Sequence, residues 1–407
     1  MSSVYQNKIS SCRICGSNQL KTVIHLAQMP FTDEFISSDQ LGTEFLSDID
    51  IAVCKQCACA QNINDTDMGA YYQDYTYSVQ SSGFALSFMS TLAERIKSNY
   101  FSNKTAPSIL EIGSGTGEQL MAFKKLGFRV IGVEPSDKLS EYANSQEIKT
   151  LTTFFDENTT QIVDPEFRTV DAIVTSYTFD HIPRPVEVLN NIHKILNDDG
   201  LLIIEVHNLE LIRQRNEFCL FEHEHYTYLN ERTMRYLLNQ NNFDVVTFKL
   251  LEESEKRANS LLVVAKKANK SNISEVDVLN EIHLLDSLNN EINKSISRID
   301  NWLNENKKYK IVAYGAGGRG IMTIAALANS NYIQYIVDKN PKSDNIFAPK
   351  SHLPVYGIER LAENRADKIL IFSFGYYNEI VSELTSKFGY TKDQFISILE
   401  LLEPANA

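Results

Sequence analysis

Two Cys-x-x-Cys knuckles, Cys12/Cys15 and Cys54/Cys57, stand in the first sixty residues. A single tight turn bearing two thiolates grips half the shell of one ion, so two such turns complete a tetrahedral Zn(Cys)4 site. The 38 residues between the knuckles are about twice the common ribbon spacing. Loop-closure entropy grows only logarithmically: doubling the gap adds roughly 0.6 kcal/mol, against roughly 10 kcal/mol or more from structural zinc. A redox role needs a thioredoxin-like βαβ context, and none surrounds these cysteines. Cys12, Cys15, Cys54 and Cys57 are therefore read as ligands of a structural zinc.

A second chemistry-bearing stretch is the glycine loop Glu111-Ile-Gly-Ser-Gly-Thr-Gly117. Glycines between a strand end and a helix start allow sharp backbone angles and close ligand approach. An acid at the next strand end accepts hydrogen bonds from ribose hydroxyls, and Glu134 stands 23 residues after Glu111. The third stretch is Phe221-Glu-His-Glu-His-Tyr-Thr-Tyr-Leu229, where carboxylates and imidazoles crowd beside tyrosines. That mixture fits general acid–base work at the carboxyl edge of a sheet. Read as an extended segment, it puts His223 and His225 on one side, which also leaves a metal site open. A fourth is Gly315-Ala-Gly-Gly-Arg-Gly320, with Asp338 at the end of the following strand.

The elements that must position these groups are legible from apolar periodicity. Phe84, Phe88, Leu92 and Ile96 mark a helix after the tyrosine-rich run Ala70–Ser78. Strands and helices then alternate from Ser108 to Lys267: strands at 108–112, 129–134, 171–176 and 201–206, helices at 118–126 and 186–196, then strands at 244–251 and 260–267. This alternation predicts an α/β, doubly wound, Rossmann-like sheet. Residues 273–305 carry apolar positions at three- and four-residue steps and read as one long connecting helix lying on its own protein. A second Rossmann-like unit starts at Lys310, with strands at 310–314 and 333–337. Three units follow: 1–80 with a zinc-ribbon-like module, 81–270 and 271–407.

Composition excludes several classes. A chain of 407 residues with net charge −13 is too acidic for a nucleic-acid partner. The knuckle segment is no local exception, because residues 1–80 hold four basic and nine acidic side chains. Only Cys59 and Cys219 remain outside the knuckles, which rules out a disulfide framework. No signal-peptide core and no run of roughly 18 apolar residues is present. A cytoplasmic protein without a membrane partner is expected, as a monomer or weak homodimer.

The order of the motifs is itself informative. Glu111 before Gly-x-Gly-x-Gly, then Gly-Val-Glu-Pro-Ser136, resembles the S-adenosylmethionine (SAM) site of class I methyltransferases. The knuckles, tyrosine-rich exit, SAM loop, His223-Glu-His225 and C-terminal Tyr-Gly-Ala loop together resemble the sugar C-methyltransferases that act on nucleotide-linked 4-keto deoxysugars. The resemblance spans essentially the whole chain. It implies a zinc module capping the site and a middle domain holding SAM through Glu111, Gly113, Gly115, Gly117, Glu134 and Pro135. It also implies a C-terminal domain that helps bind the sugar nucleotide, the small-molecule substrate, through Gly315 and Arg319.

Carbon methylation beside a ketone needs a base for the α-proton and donors for the enolate oxygen. The resemblance makes His225 the base, with Glu224 and His223 beside it. His181 is a candidate partner of the keto oxygen, and Tyr75 and Tyr77 are candidates to reach in from the cap. The chain departs from the family in three places: Glu222 stands where a tyrosine is usual, Arg257-Ala-Asn-Ser260 replaces a Gly-Gly-Ser-like segment, and Arg319 replaces a lysine. Glu222 is therefore assigned to the substrate. Two rival enzyme readings are an NAD-dependent sugar-nucleotide oxidoreductase or epimerase using the C-terminal loop, and an O-methyltransferase. An RNA-binding methyltransferase lacks the basic face it would need.

Overall fold

The computed structural model describes residues 6–32, 34–75, 78–80, 82–162, 164–273, 275–339 and 345–402. Among them the central sheet has seven strands. In spatial order they are Phe243–Thr247, Ser260–Lys267, Leu196–His207, Val170–Ser176, Ser108–Ile112, Arg129–Glu134 and Thr150–Thr152. The last five run parallel, and Ser260–Lys267 is antiparallel to both of its neighbours. Parallel strands are covered on both faces and so read as near-continuous apolar runs. Ser108–Ile112 is buried at every position, and Val170–Ser176 at all but the last.

The chain reverses its winding where Ser108–Ile112 lies beside Val170–Ser176, and doubly wound sheets open a ligand crevice at such a reversal. The C-terminal sheet repeats the device. Its six strands run Ile346–Phe347, Pro354–Gly357, Ile333–Asp338, Ile311–Tyr314, Lys368–Ile371 and Phe395–Ser397. The reversal falls between Ile311–Tyr314 and Lys368–Ile371. Gly113 and Gly315 occupy equivalent places after the first strand of each sheet. Both have φ in the left-handed region, +71° and +109°. A Cβ would lie 2.3 Å from Thr178 Oγ1 at the first and 2.6 Å from Ser373 Oγ at the second, so only glycine fits.

The N-terminal sheet is antiparallel and not self-contained. Leu20–Met29, Ser47–Cys54 and Ala60–Asn62 pair in order, and Thr227–Tyr228 from the middle of the chain adds a fourth strand. The helix Val278–Asn306 begins five residues later than expected, at an Asp277 cap that accepts from Asn280 N. It buries Leu285, Leu288, Ile292, Ile299 and Leu303 in one core with Ile24, Ile49 and Ile51 of the N-terminal sheet and Ile311 and Ile336 of the C-terminal sheet. It thus lies on its own protein and ties the two outer sheets together. Among the described residues no helix is long and apolar enough to cross a membrane.

Candidate active site

The four knuckle sulfurs converge. Cys12 and Cys57 Sγ lie 3.6 Å apart, Cys15 and Cys54 Sγ 3.5 Å apart, and all four fall within 4.8 Å of one another. Tetrahedral zinc with bonds of about 2.3 Å puts its sulfurs about 3.8 Å apart, so the set fits the ion. Donors toward sulfur are in place: Gln61 Nε2 is 3.2 Å from Cys12 Sγ, and Gln56 N is 3.4 Å from Cys54 Sγ. Such outer-shell bonds favour thiolate.

The first glycine loop forms a cradle. Gly113 N donates to Val133 O at 2.8 Å, and Gly115 N donates to Glu134 Oε2 at 2.8 Å. Ser136 N donates to the other Glu134 oxygen at 2.9 Å, so the acid is aimed before any ligand arrives. Glu111 is 3% exposed, and its Oε2 has no hydrogen-bond partner among the described residues. Burial pushes its pKa well above the carboxylate range. A cationic ligand group beside it would restore its charge, which suits SAM.

Beyond the reversal point, three elements bring an acid and three imidazoles together. Asp180 and His181 sit on the short helix Phe179–His181, and His207 ends the strand Leu196–His207. His225 follows a turn closed by its N–H to Glu222 O at 3.4 Å. Its ring centroid is 4.5 Å from that of His181 and 4.9 Å from that of His207. Nδ1 of His225 lies 3.0 Å from Leu220 O and must carry the proton, leaving Nε2 as the basic nitrogen, 3.7 Å from Glu222 Oε2. Asp180 Oδ2 is 2.9 Å from His207 Nδ1. Asp180, His207 and His225 also meet the spacing of a metal site. That hydrogen bond engages Asp180 Oδ2, whereas Asp180 Oδ1 is buried with no hydrogen-bond partner among the described residues.

The charges separate the three imidazoles. Burial drives His181 to about 3 and His207 to about 4, so both are neutral. Burial opposes the proton on His225 as well, but the carboxylates of Glu222, Asp180 and Glu224 outweigh it and hold His225 above the ordinary histidine value. Burial likewise opposes ionisation of Asp180, yet the His207 hydrogen bond and the surrounding imidazoles keep it well below the carboxylate range.

The SAM cradle, the imidazoles and the second glycine loop share one cleft of about 2760 Å³. On its far wall Ala316 N donates to Asp338 Oδ2 at 2.8 Å, the counterpart of Gly115 on Glu134. Arg319 lies over the Phe374 ring, 4.9 Å from its centroid, with Nη2 3.9 Å from buried Glu217.

Comparison with known proteins matches this three-part layout. Residues 12–72 match a zinc binding domain, 85–247 a methyltransferase domain and 252–399 a C-methyltransferase C-terminal domain. The C-methyltransferase NovU of Streptomyces niveus is 23% identical over 388 residues, covering 92% of this chain and 91% of NovU. The chain belongs to this C-methyltransferase family. It is a SAM-dependent enzyme with a structural zinc. An uncharacterized methyltransferase of Alkaliphilus oremlandii is 30% identical over 141 residues, 30% of this chain and 62% of that protein. Among solved structures, the CurJ carbon methyltransferase matches 47% of this chain and 57% of its own, at 17% identity and TM-score 0.37.

The methyltransferase brings most of the sequence-predicted site residues to the cleft. Glu111, Gly113, Gly115, Glu134 and Pro135 line one end, Tyr75, His181, Glu224 and His225 the middle, and Glu222, Gly315 and Arg319 the other. Two expectations change, at His223 and Gly117. His223 is outside the cleft: the segment is a tight turn rather than extended, so His223 Nε2 meets Met29 O at 2.9 Å and its ring packs on Phe31 and Phe45. Gly117 caps the helix Glu118–Lys125 and does not line the cleft. Tyr77 lies outside the described residues. Sequence reasoning missed Tyr72, Asp180 and His207. His207 had one available signal, its place at the carboxyl end of a strand that runs one residue beyond the predicted 201–206.

Proposed function

We propose that the enzyme methylates the carbon beside the ketone of a nucleotide-linked 4-keto deoxysugar, with residues 1–80 covering the cleft, 81–270 holding SAM and 271–407 taking the nucleotide. The observation that carries this reading is the single basic nitrogen of His225, buried between the two glycine loops with its other nitrogen bonded to Leu220 O. A base fixed in one tautomer inside a cleft suits removal of a carbon-bound proton. O-methylation of a hydroxyl, by contrast, needs no enolate to be stabilised.

SAM supplies an electrophilic methyl group. His225 Nε2 removes the α-proton, and the C–H electron pair moves toward the ketone oxygen. His181, neutral and with Nδ1 held by Tyr72, is placed to donate through Nε2 to that oxygen. Glu224, anchored by Thr32 Oγ1 at 2.8 Å, orients the sugar or the base. Gly315 and the Arg319 guanidinium take the nucleotide end, where arginine can grip phosphate with two donors.

The test is to incubate the enzyme with SAM and a panel of nucleotide-linked 4-keto deoxysugars and to look for a gain of about 14 Da by mass spectrometry. His225→Ala should lower turnover roughly 100-fold or more with SAM affinity intact. Methyl transfer to oxygen, or full turnover in His225→Ala, overturns the reading.

A further inference from the structure

Glu222 is three residues from the base and faces the wrong nitrogen to be an orienting group. A carboxylate that orients a histidine binds the N–H opposite the working nitrogen. In this enzyme that place is taken by Leu220 O, 3.0 Å from Nδ1, and Glu222 Oε2 faces Nε2 at 3.7 Å. The other two acids near the ring each have one oxygen engaged elsewhere, Asp180 Oδ2 with His207 Nδ1 and Glu224 Oε1 with Thr32. The Glu222 backbone is fixed on both sides. Its N–H donates to Tyr228 Oη at 3.1 Å, and its carbonyl accepts from Asn62 Nδ2 at 3.3 Å. Its Oε1 rests against Gly318 of the second glycine loop, where an added Cβ would come within 2.9 Å. Glu222 also lines the cleft.

We propose that Glu222 is the second station of the substrate proton, receiving it from His225 Nε2 and releasing it to water in the cleft. The inference rests on His225 being the base. The substrate C–H bond breaks, its proton joins Nε2, and its electron pair becomes the enolate that takes the methyl. The proton then passes from Nε2 to Glu222 Oε2, and Glu222 returns to carboxylate by giving it to water. One proton leaves per methyl transferred, which balances replacement of C–H by C–CH3 from a cationic donor. The 3.7 Å separation is in the range of catalytic contacts that tighten only when substrate is bound. The position also explains a conflict in the sequence: a carboxylate beside the enolate would repel it, whereas one that takes up the proton becomes neutral as the enolate forms.

The experiment uses the full-length enzyme, deoxythymidine-diphosphate-linked 4-keto-6-deoxyglucose as probe, and D2O without SAM. It reads deuterium entering the carbons beside the ketone. Wild type should exchange. Glu222→Gln keeps the size but cannot accept a proton, so the abstracted proton returns to carbon. Exchange should fall about tenfold or more. With enzyme in excess over SAM, the first methyl transfer should fall less than steady-state turnover. Added formate should restore part of the exchange. Normal exchange in Glu222→Gln, or a raised KM with exchange unchanged, makes Glu222 a substrate-holding residue and overturns the proposal. His225→Ala separates the two ideas: exchange surviving there removes the base reading itself, as does wild type that exchanges nothing. A Glu222→Gln variant that unfolds, checked by thermal melting, is replaced by Glu222→Asp, whose shortened reach should slow exchange and whose full exchange counts against the proposal.

Discussion

Tyr72 Oη stands 2.7 Å from His181 Nδ1, joining the zinc-bearing segment to the methyltransferase centre across 109 positions of sequence. Tyr72 lies on the short helix Gly69–Gln73 and packs edge-on against Tyr71. His181 is neutral because of burial. Its Nε2 faces the Asp180 carboxylate, with Oδ1 3.9 Å away, a charge that favours the proton on Nε2 and leaves Nδ1 to accept from the phenol. The cap therefore chooses which nitrogen of His181 can donate. Tyr72→Phe should lower kcat about tenfold, the size of one lost hydrogen bond of about 1.4 kcal/mol. Steady-state kinetics beside a calorimetric SAM titration checks this, and SAM affinity should not change.

The pH dependence follows from the carboxylates around His225. The working form of a general base is the deprotonated one, so kcat/KM should rise with pH through the His225 pKa and level off above it. Glu222, Asp180 and Glu224 hold that pKa above the ordinary histidine value. The acid limb should accordingly bend above about pH 6.5, the unperturbed value. Glu222→Gln removes the largest charge favouring the protonated ring, so the limb should move to lower pH. A profile of kcat/KM for both proteins reads the shift directly, and an acid limb bending below 6.5 in wild type counts against His225 as the base.

Much of this was legible in the sequence, and the exceptions have physical causes. The parallel strands announced themselves because both of their faces are buried, as in Ser108–Ile112. The cysteine ligands and the two glycine loops are local motifs, so spacing alone found them. Tyr72, Asp180 and His207 were missed because their roles come from tertiary approach. Nothing in the one-dimensional order says that a tyrosine of the cap will meet His181. His223 departs for the opposite reason: period-two alternation holds only for an extended segment, whereas this one is a turn, and Phe31 and Phe45 supply the apolar pocket that receives its ring. The fourth strand of the N-terminal sheet, Thr227–Tyr228, is two residues long and carries no recognisable period.

Glu134 holds the cradle as well as any ribose. Its two oxygens accept from Gly115 N and Ser136 N, so removing it unties the loop and deletes a charged ligand contact at once. Glu134→Ala should weaken SAM by roughly 1.5–3 kcal/mol, about 10- to 150-fold, with the fold intact. Calorimetric titration with SAM measures it, and thermal melting without ligand controls for folding. An unchanged affinity would move the ribose contact off Glu134.

The zinc should matter to catalysis although none of its four ligands lines the cleft. Cys54 ends the strand Ser47–Cys54, whose neighbour Ala60–Asn62 pairs with Thr227–Tyr228, two residues beyond His225. The same segment supplies Asn62 to the carbonyl of Glu222 and Thr32 to the carboxylate of Glu224. Three thiolates hold zinc poorly, and the binding free energy of a structural zinc is folding free energy, about 10 kcal/mol or more in small zinc domains. Wild type should carry about one zinc per chain. Cys54→Ser should lose most of it, melt at lower temperature and lose turnover. SAM affinity should fall less than turnover, because the cradle at Gly113–Gly115 belongs to the other sheet. Metal analysis, a melting curve and a SAM titration on the same preparation separate these effects. Full activity in a zinc-free Cys54→Ser protein would show that the cap positions the base without its metal.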